Sequence, residues 1–174
     1  MKNKLKSATH YIIPIAIGFI VAVLVRKFIF LNCVIPSESM ENTLNVGDNI
    51  FGSKLAYKGE NPKRGDIIIF HFPDDPSQLF VKRIIGLPGE NVEIKNAKVY
   101  INGNQLEENY LKENWTRDND GYSFAVPEGS YFVMGDNRNN SLDSRYWNQP
   151  FVDYKAIEGK AIFRYFPFNK MEKL

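Results

Sequence analysis

The sequence predicts a mainly β domain carried on one N-terminal transmembrane helix. Two observations predict it. Residues 11–25 are uncharged and nearly all apolar. After residue 31 the apolar residues come instead in short runs separated by Gly, Pro and Asn turn signals.

Taken in order, residues 1–10 carry Lys2, Lys4 and Lys6 and no acid. A helix over 11–25 spans about 22 Å, short of a hydrocarbon core of about 30 Å. Running on through Arg26 and Lys27 to Leu31 gives about 31 Å, with the two basic side chains snorkelling to the interface. Pro14 and Gly18 are tolerated in membrane helices. Basic residues before a short apolar run also fit a cleaved secretory signal. Against that, no small-x-small pattern follows the run, and Asn32 is a poor residue before a lipoprotein-type Cys33. The expected division is a cytoplasmic N-terminus at 1–10, an anchor at 11–31 and an extracytoplasmic domain at 32–174. The lysines place the N-terminus inside the plasma membrane, whereas Arg26 and Lys27 argue the other way.

Past the anchor, Val46-Gly47-Asp48 is a turn signal before a strand at 49–51. Arg64-Gly65-Asp66 opens the very apolar run 67–72, stopped by Pro73. A second apolar-rich run, 79–85, ends at Gly86-Leu87-Pro88-Gly89. Residues 92–94 and 98–101, with Asn102-Gly103, read as a hairpin region. Residues 131–134 precede Gly135-Asp136-Asn137, and 160–166 form the last strand, ended by Pro167. Only 153–158 hints at a helical turn. Residues 74–78 and 107–122 read as polar loops, with Trp115 in the second either an exposed aromatic or a small satellite core.

Composition narrows the functions. The chain has 174 residues, so removing an anchor leaves one domain able to bury a core without staples. A formal net charge of +2, with no basic cluster interleaved with aromatics, argues against nucleic acid. The single Cys33 excludes an internal disulfide, and with only His10 and His71 it cannot build a zinc site of the usual kinds. No metal and no cofactor is expected; the oligomeric state is left open.

Three stretches carry candidate chemistry. In Ile35-Pro36-Ser37-Glu38-Ser39-Met40, two hydroxyls follow a proline that fixes φ near −65°. Such hydroxyls belong to an inert turn unless a base activates one of them. In the run 79–85, side-chain alternation places Phe80, Lys82 and Ile84 on one face and Arg83 on the other. Lys82 is then either an ordinary edge lysine or a base. A base must be neutral, and burial between Phe80 and Ile84 would lower its pKa. His71 is the competing base; it would need an acid such as Asp74, Asp75 or Asp143, and on so apolar a strand it reads as structural. No Gly-x-Ser-x-Gly and no Ser-x-x-Lys is present. The third stretch, residues 135–145, is either a solvated, inert polar loop or a network in which Asp136 and Asp143 pair with Arg138 and Arg145 and hold Ser141 or Ser144 near the site.

Together these stretches resemble the type I signal peptidases. Pro36-Ser37-x-Ser39-Met40 with Thr43-Leu44 and Gly47-Asp48 is similar to their nucleophile box. Arg64-Gly65-Asp66 with Ile68 and Phe70 is similar to their second box. Residues 81–90 resemble their lysine box, and Gly135-Asp136-Asn137-Arg138 with Ser141 and Asp143-Ser144-Arg145 their last box. Gly159-Lys160, Arg164 and Pro167 match their C-terminal strand. The resemblance implies an antiparallel β-sheet catalytic domain on a membrane anchor. It implies Ser39 as nucleophile and Lys82 as general base, with Ser37 Oγ and the Ser39 N–H as oxyanion hole and Ser141 orienting Lys82. The implied partners are signal peptides of exported preproteins and membrane lipid, with cleavage after small-x-small sites. By position, Ile35, Met40, Leu44, Phe80 and Val81 are the candidate pocket walls. Two departures stand out: Glu38 replaces a small residue, and Asn42 a common proline. The alternatives are a non-catalytic signal-peptide-binding subunit of this fold, expected to lack the serine or the lysine, and a self-cleaving regulator, which carries no anchor.

Overall fold

The computed structural model describes residues 2–116 and 121–174. The side chains of residues 1–10, on which the orientation argument rests, lie outside the described residues, as do residues 117–120 of the expected 107–122 loop. The chain opens with one helix, α1 (Lys2–Phe28). Its segment Tyr11–Phe28 is apolar and long enough to cross a membrane. The helix ends at Phe28 rather than Leu31. Phe30 and Leu31 instead open strand β1 (Phe30–Val34), opposite Ser53 and Gly52 of β2 (Asn49–Ser53). Leu31 packs against a buried apolar cluster, so sheet pairing and core burial override the apolar run's helical continuation. Arg26 and Lys27 occupy the last helical turn, where positive charge complements the helix dipole.

The remaining strands follow as β3 (Ile67–Phe72), β4 (Asp75–Gly86), β5 (Asn91–Lys95), β6 (Lys98–Ile101), β7 (Asn104–Gln105), β8 (Tyr122–Ala125), β9 (Ser130–Met134), β10 (Val152–Asp153), β11 (Ile157–Phe166) and β12 (Glu172–Lys173). The larger sheet runs β1-β2-β11-β3-β4-β9-β10, with β12 on β11; the smaller runs β7-β6-β5-β8. Every pairing is antiparallel, as the resemblance implied. Ile67 and Ile69 enter one core cluster while Ile68 and Phe70 enter another. The strand is covered on both faces, which is why its sequence is apolar throughout rather than alternating. A third cluster joins the sheets: Ile85, Phe132 and Met134 meet Val92, Ile94, Val99 and Ile101. Trp115 belongs to it and is 6% exposed, which settles the open reading in favour of a core position.

One expected loop and the expected helical turn differ. Residues 75–78 belong to β4, because Pro73 and Asp74 already make the turn and Phe72 pairs with Asp75. The polar residues beyond form a bulge before His71 pairs with Leu79, and the Asp75 carboxylate holds it by accepting from Ser77 and Gln78. Strand β11 starts at Ile157, after a single 3-10 turn at Tyr154–Ala156 that Asp153 caps. Gly159 and Gly52 are needed where β11 and β2 come together. A Cβ on Gly159 would lie 2.6 Å from Ser53 O, and one on Gly52 2.6 Å from Ile69 Cδ1. Charged residues of the boxes staple the strands: Arg64 bonds Glu90 in a fork, and Asp66 takes Lys160 Nζ at 2.6 Å.

Candidate active site

After β1 the chain passes Ile35 and Pro36 and turns through a short 3-10 helix, Glu38–Met40. Its ends are tied to the sheet. Ile35 N–H donates to Asp48 O, and Gly47 N–H to Ile35 O. Arg164 on β11 then reaches both the Asp48 carboxylate, at 2.7 Å, and Thr43 O, at 3.0 Å. The loop so closed presents Ser39, which is 8% exposed. Asn42 has φ +84° and its side chain donates to Tyr110 O. A proline there, as the family pattern prefers, cannot take that φ. Asparagine tolerates it, so Asn42 suits the conformation that this loop adopts.

Lys82 rises from β4, opposite Ile68 on β3. Its Nζ bonds Ser39 Oγ at 2.6 Å and lies 5.5 Å from the centre of the Phe80 ring. Lys82 is 4% exposed. Burial pushes its pKa down from 10.5 to about 8; Asp143 and Asp136 pull upward and Arg145 downward. Ser37 Oγ is 3.3 Å from Ser39 Oγ. The Ser39 N–H has no acceptor among the described residues. His71 is elsewhere: its ring nitrogens face Pro76 O and Glu158, a structural arrangement.

The 135–145 loop packs beneath the serine. A Cβ on Gly135 would lie 2.3 Å from both Ser39 O and Ser141 Oγ, so only glycine lets the two approach. Ser141 is thereby brought beside Ser39, but its buried hydroxyl makes no hydrogen bond to Lys82; it lies instead close enough to Asp143 to help hold that carboxyl down. The expected acid–base pairing is half correct. Asp143 does pair with Arg145, both fully buried, and also accepts Gly135 N–H. Burial pushes the Asp143 carboxyl up, yet Arg145 and the Gly135 N–H outweigh it and hold it below the usual carboxylate range. Asp136, however, pairs with Arg83, next to Lys82, and accepts from Thr43 Oγ1. It ties the serine loop to the lysine strand. Arg138 pairs with Glu108 instead, because the 107–116 segment folds over this loop and brings a carboxylate to it. Glu108 and Tyr110, which stacks on Arg83 at 4.1 Å, carried no recognisable signal in a stretch that reads as polar loop.

A groove of about 570 Å³ runs past the pair, walled by residues 33–36 on one side and 78–82 on the other. Ile35, Met40, Phe80 and Val81 line it. Leu44 does not: it is completely buried in the cluster with Ile50 and Ile69. Leu79 and Leu142, not foreseen, line it too.

A serine held by a buried lysine beside an apolar groove, on this sheet, sets the chain among the peptidases. It belongs to the signal peptidase family: the family described as "Signal peptidase, peptidase S26" matches residues 8–166. The chain is 41% identical over 181 residues to the signal peptidase I S of Bacillus subtilis, covering 98% of this chain and 96% of that one. It is 41% identical over 167 residues to a signal peptidase I of Leptolyngbya laminosa, covering 92% and 80%. A crystal structure of a signal peptidase I from Enterococcus faecalis matches with a TM-score of 0.50 at 42% identity, covering 58% of this chain and 97% of the other.

The buried amine has a thermodynamic signature. Unfolding returns Lys82 from about 8 to near 10.5. Below pH 8 the folded protein holds a poorly solvated charge, at a cost of about 3 kcal/mol. Between pH 8 and 10.5 the unfolded chain binds more protons than the folded one, so this penalty fades as pH rises. Lys82→Met should therefore unfold at a higher temperature than the wild type at pH 7, with the gap shrinking as pH rises through 8 and beyond. A gap independent of pH, or a loss of stability at pH 7, contradicts a desolvated amine.

Proposed function

We propose that the chain is a membrane-anchored serine endopeptidase that uses a Ser39/Lys82 dyad to cut N-terminal signal peptides from exported preproteins. The observation that carries it is the 2.6 Å contact between a buried lysine amine and a serine hydroxyl. The names of the relatives supply the substrate class. With Lys82 neutral, Ser39 Oγ–H donates to the amine lone pair and the oxygen attacks the scissile carbonyl. Ser37 Oγ–H and Ser39 N–H then donate to the developing oxyanion. The lysine returns its proton to the leaving amine, and repeats the base role for the water that releases the acyl group.

The substrate lies extended in the groove, between residues 33–36 and 78–82, so alternate side chains face the protein. The residues one and three before the bond enter the space left by Ile35, Met40, Phe80 and Val81, and are small. The segment Tyr11–Phe28 crosses the membrane, with the N-terminus cytoplasmic and the domain outside.

Ser39→Ala should abolish preprotein cleavage with the fold intact, while Ser37→Ala should lose about 10²–10³ in kcat. The rate should rise with pH through about 8 as Lys82 loses its proton, and His71→Ala should stay active. Undiminished cleavage by Ser39→Ala ends the assignment. Preproteins with Ala, Val or Phe at each of the last three positions should show Phe rejected at the first and third and accepted at the second. Equal cleavage of all three at the first position removes the two-pocket arrangement and leaves the dyad standing. Protease added to intact spheroplasts should degrade the domain; full protection reverses the topology.

A further inference from the structure

We propose that Asn137 is a positioning residue for the oxyanion donor of this site, acting through the peptide group between Glu38 and Ser39. The inference rests on the Ser39/Lys82 reading.

Asn137 follows β9 and is 2% exposed. Its side-chain Nδ2 donates to Glu38 O at 3.1 Å. Its backbone N–H donates to Ser39 O, also at 3.1 Å. These carbonyls belong to the two peptide groups that flank the Ser39 Cα. A trans peptide is planar, and its C=O and N–H point in opposite directions. Holding Glu38 C=O toward Asn137 therefore turns Ser39 N–H to the opposite side, where no described residue accepts it. Holding Ser39 C=O fixes the next plane. With both planes held, φ and ψ of Ser39 are set, and with them the direction in which Oγ leaves the backbone.

The loop has a local bond as well, since Glu41 N–H also donates to Glu38 O, at 3.0 Å. That bond moves with the loop. Asn137 instead refers the peptide to the end of β9, the frame that also carries Asp136 and Gly135. The Asn140–Glu38 bond, at 2.8 Å, joins the same segments through the exposed Glu38 carboxylate and cannot orient a peptide plane. The far end of the Asn137 amide adds a second observation: Oδ1 is buried without a partner among the described residues. Flipping the amide would set oxygen against oxygen at Glu38, so the carbonyl dictates the orientation. A side chain present only to fill volume would not leave a buried acceptor unmet.

The test uses the full-length protein in detergent, with Asn137→Ala and the similarly sized Asn137→Asp, which also lacks the donor, beside Ser39→Ala. Two ligands of one small-x-small peptide sequence report on different states: an aldehyde, which forms a tetrahedral adduct with the serine, and an uncleavable amide, which only occupies the groove. Both Asn137 variants should lose about 10–10²-fold in kcat with KM unchanged. Aldehyde affinity should fall by the same factor as kcat, while amide affinity holds. For Asn137→Ala the acidic limb of the rate profile should remain near 8. Wild-type kcat in either variant overturns the proposal, as does an equal loss of aldehyde and amide affinity, which marks a merely structural role. Cleavage by Ser39→Ala, by contrast, takes down the dyad reading beneath it.

Discussion

The amine of Lys82 can lose its proton near pH 8 only because water is kept from it, and the surrounding structure is arranged around that requirement. The lysine sits in β4, opposite Ile68 of β3, and on the other side β9 joins from the next residue, Arg83, onward. Ile68 faces it across the pairing and Phe80 lies beside it. The charges nearby pull in both directions: two carboxylates stabilise the ammonium and Arg145 opposes them. Since Asp143 is itself held by Arg145, its attraction for the lysine is largely compensated. Desolvation is then what decides the shift.

Placing a serine against such an amine demands that distant segments be registered to within a few tenths of an ångström. Polar staples do this. Asp136 joins Thr43, from the serine loop, to Arg83, from the lysine strand. Arg164 locks the base of the serine loop through Asp48. Both ion pairs are largely buried, so removing one partner would strand the other charge out of water. The boxes that the sequence displays are therefore mostly scaffolding. Few of their residues touch the groove, and the rest hold its parts in register.

Most of the strand order of events was legible because the turn chemistry is strong: Gly, Pro and Asn punctuate nearly every junction. What was not legible has physical causes. Leu31 reads as membrane helix because hydropathy cannot distinguish lipid from a core strand. Leu44 reads as a pocket wall because nearness in sequence to Ser39 says nothing about which way a side chain turns. The partners of Asp136 and Arg138 lie in other segments, Arg83 and Glu108, and pairing charges within one loop is the wrong default when the loop is buried. Asn137 was visible as part of a motif, but its work is done through backbone carbonyls, which no side-chain pattern announces.

The junction between helix and sheet has a geometric consequence. Only Ile29 separates α1 from β1, and it is bonded on both sides: its N–H donates to Val25 O and its O accepts from Lys54 N–H. The chain has no slack there. β1 has five residues, a rise of about 16 Å, and the groove begins at its far end. With α1 seated in the bilayer and the groove as the proposed cleavage site, the protein would act as a ruler, fixing the height above the lipid at which a bond is cut. A substrate would then be measured by the length of extended chain between the end of its own apolar segment and the scissile bond, as well as by the side chains at the cut.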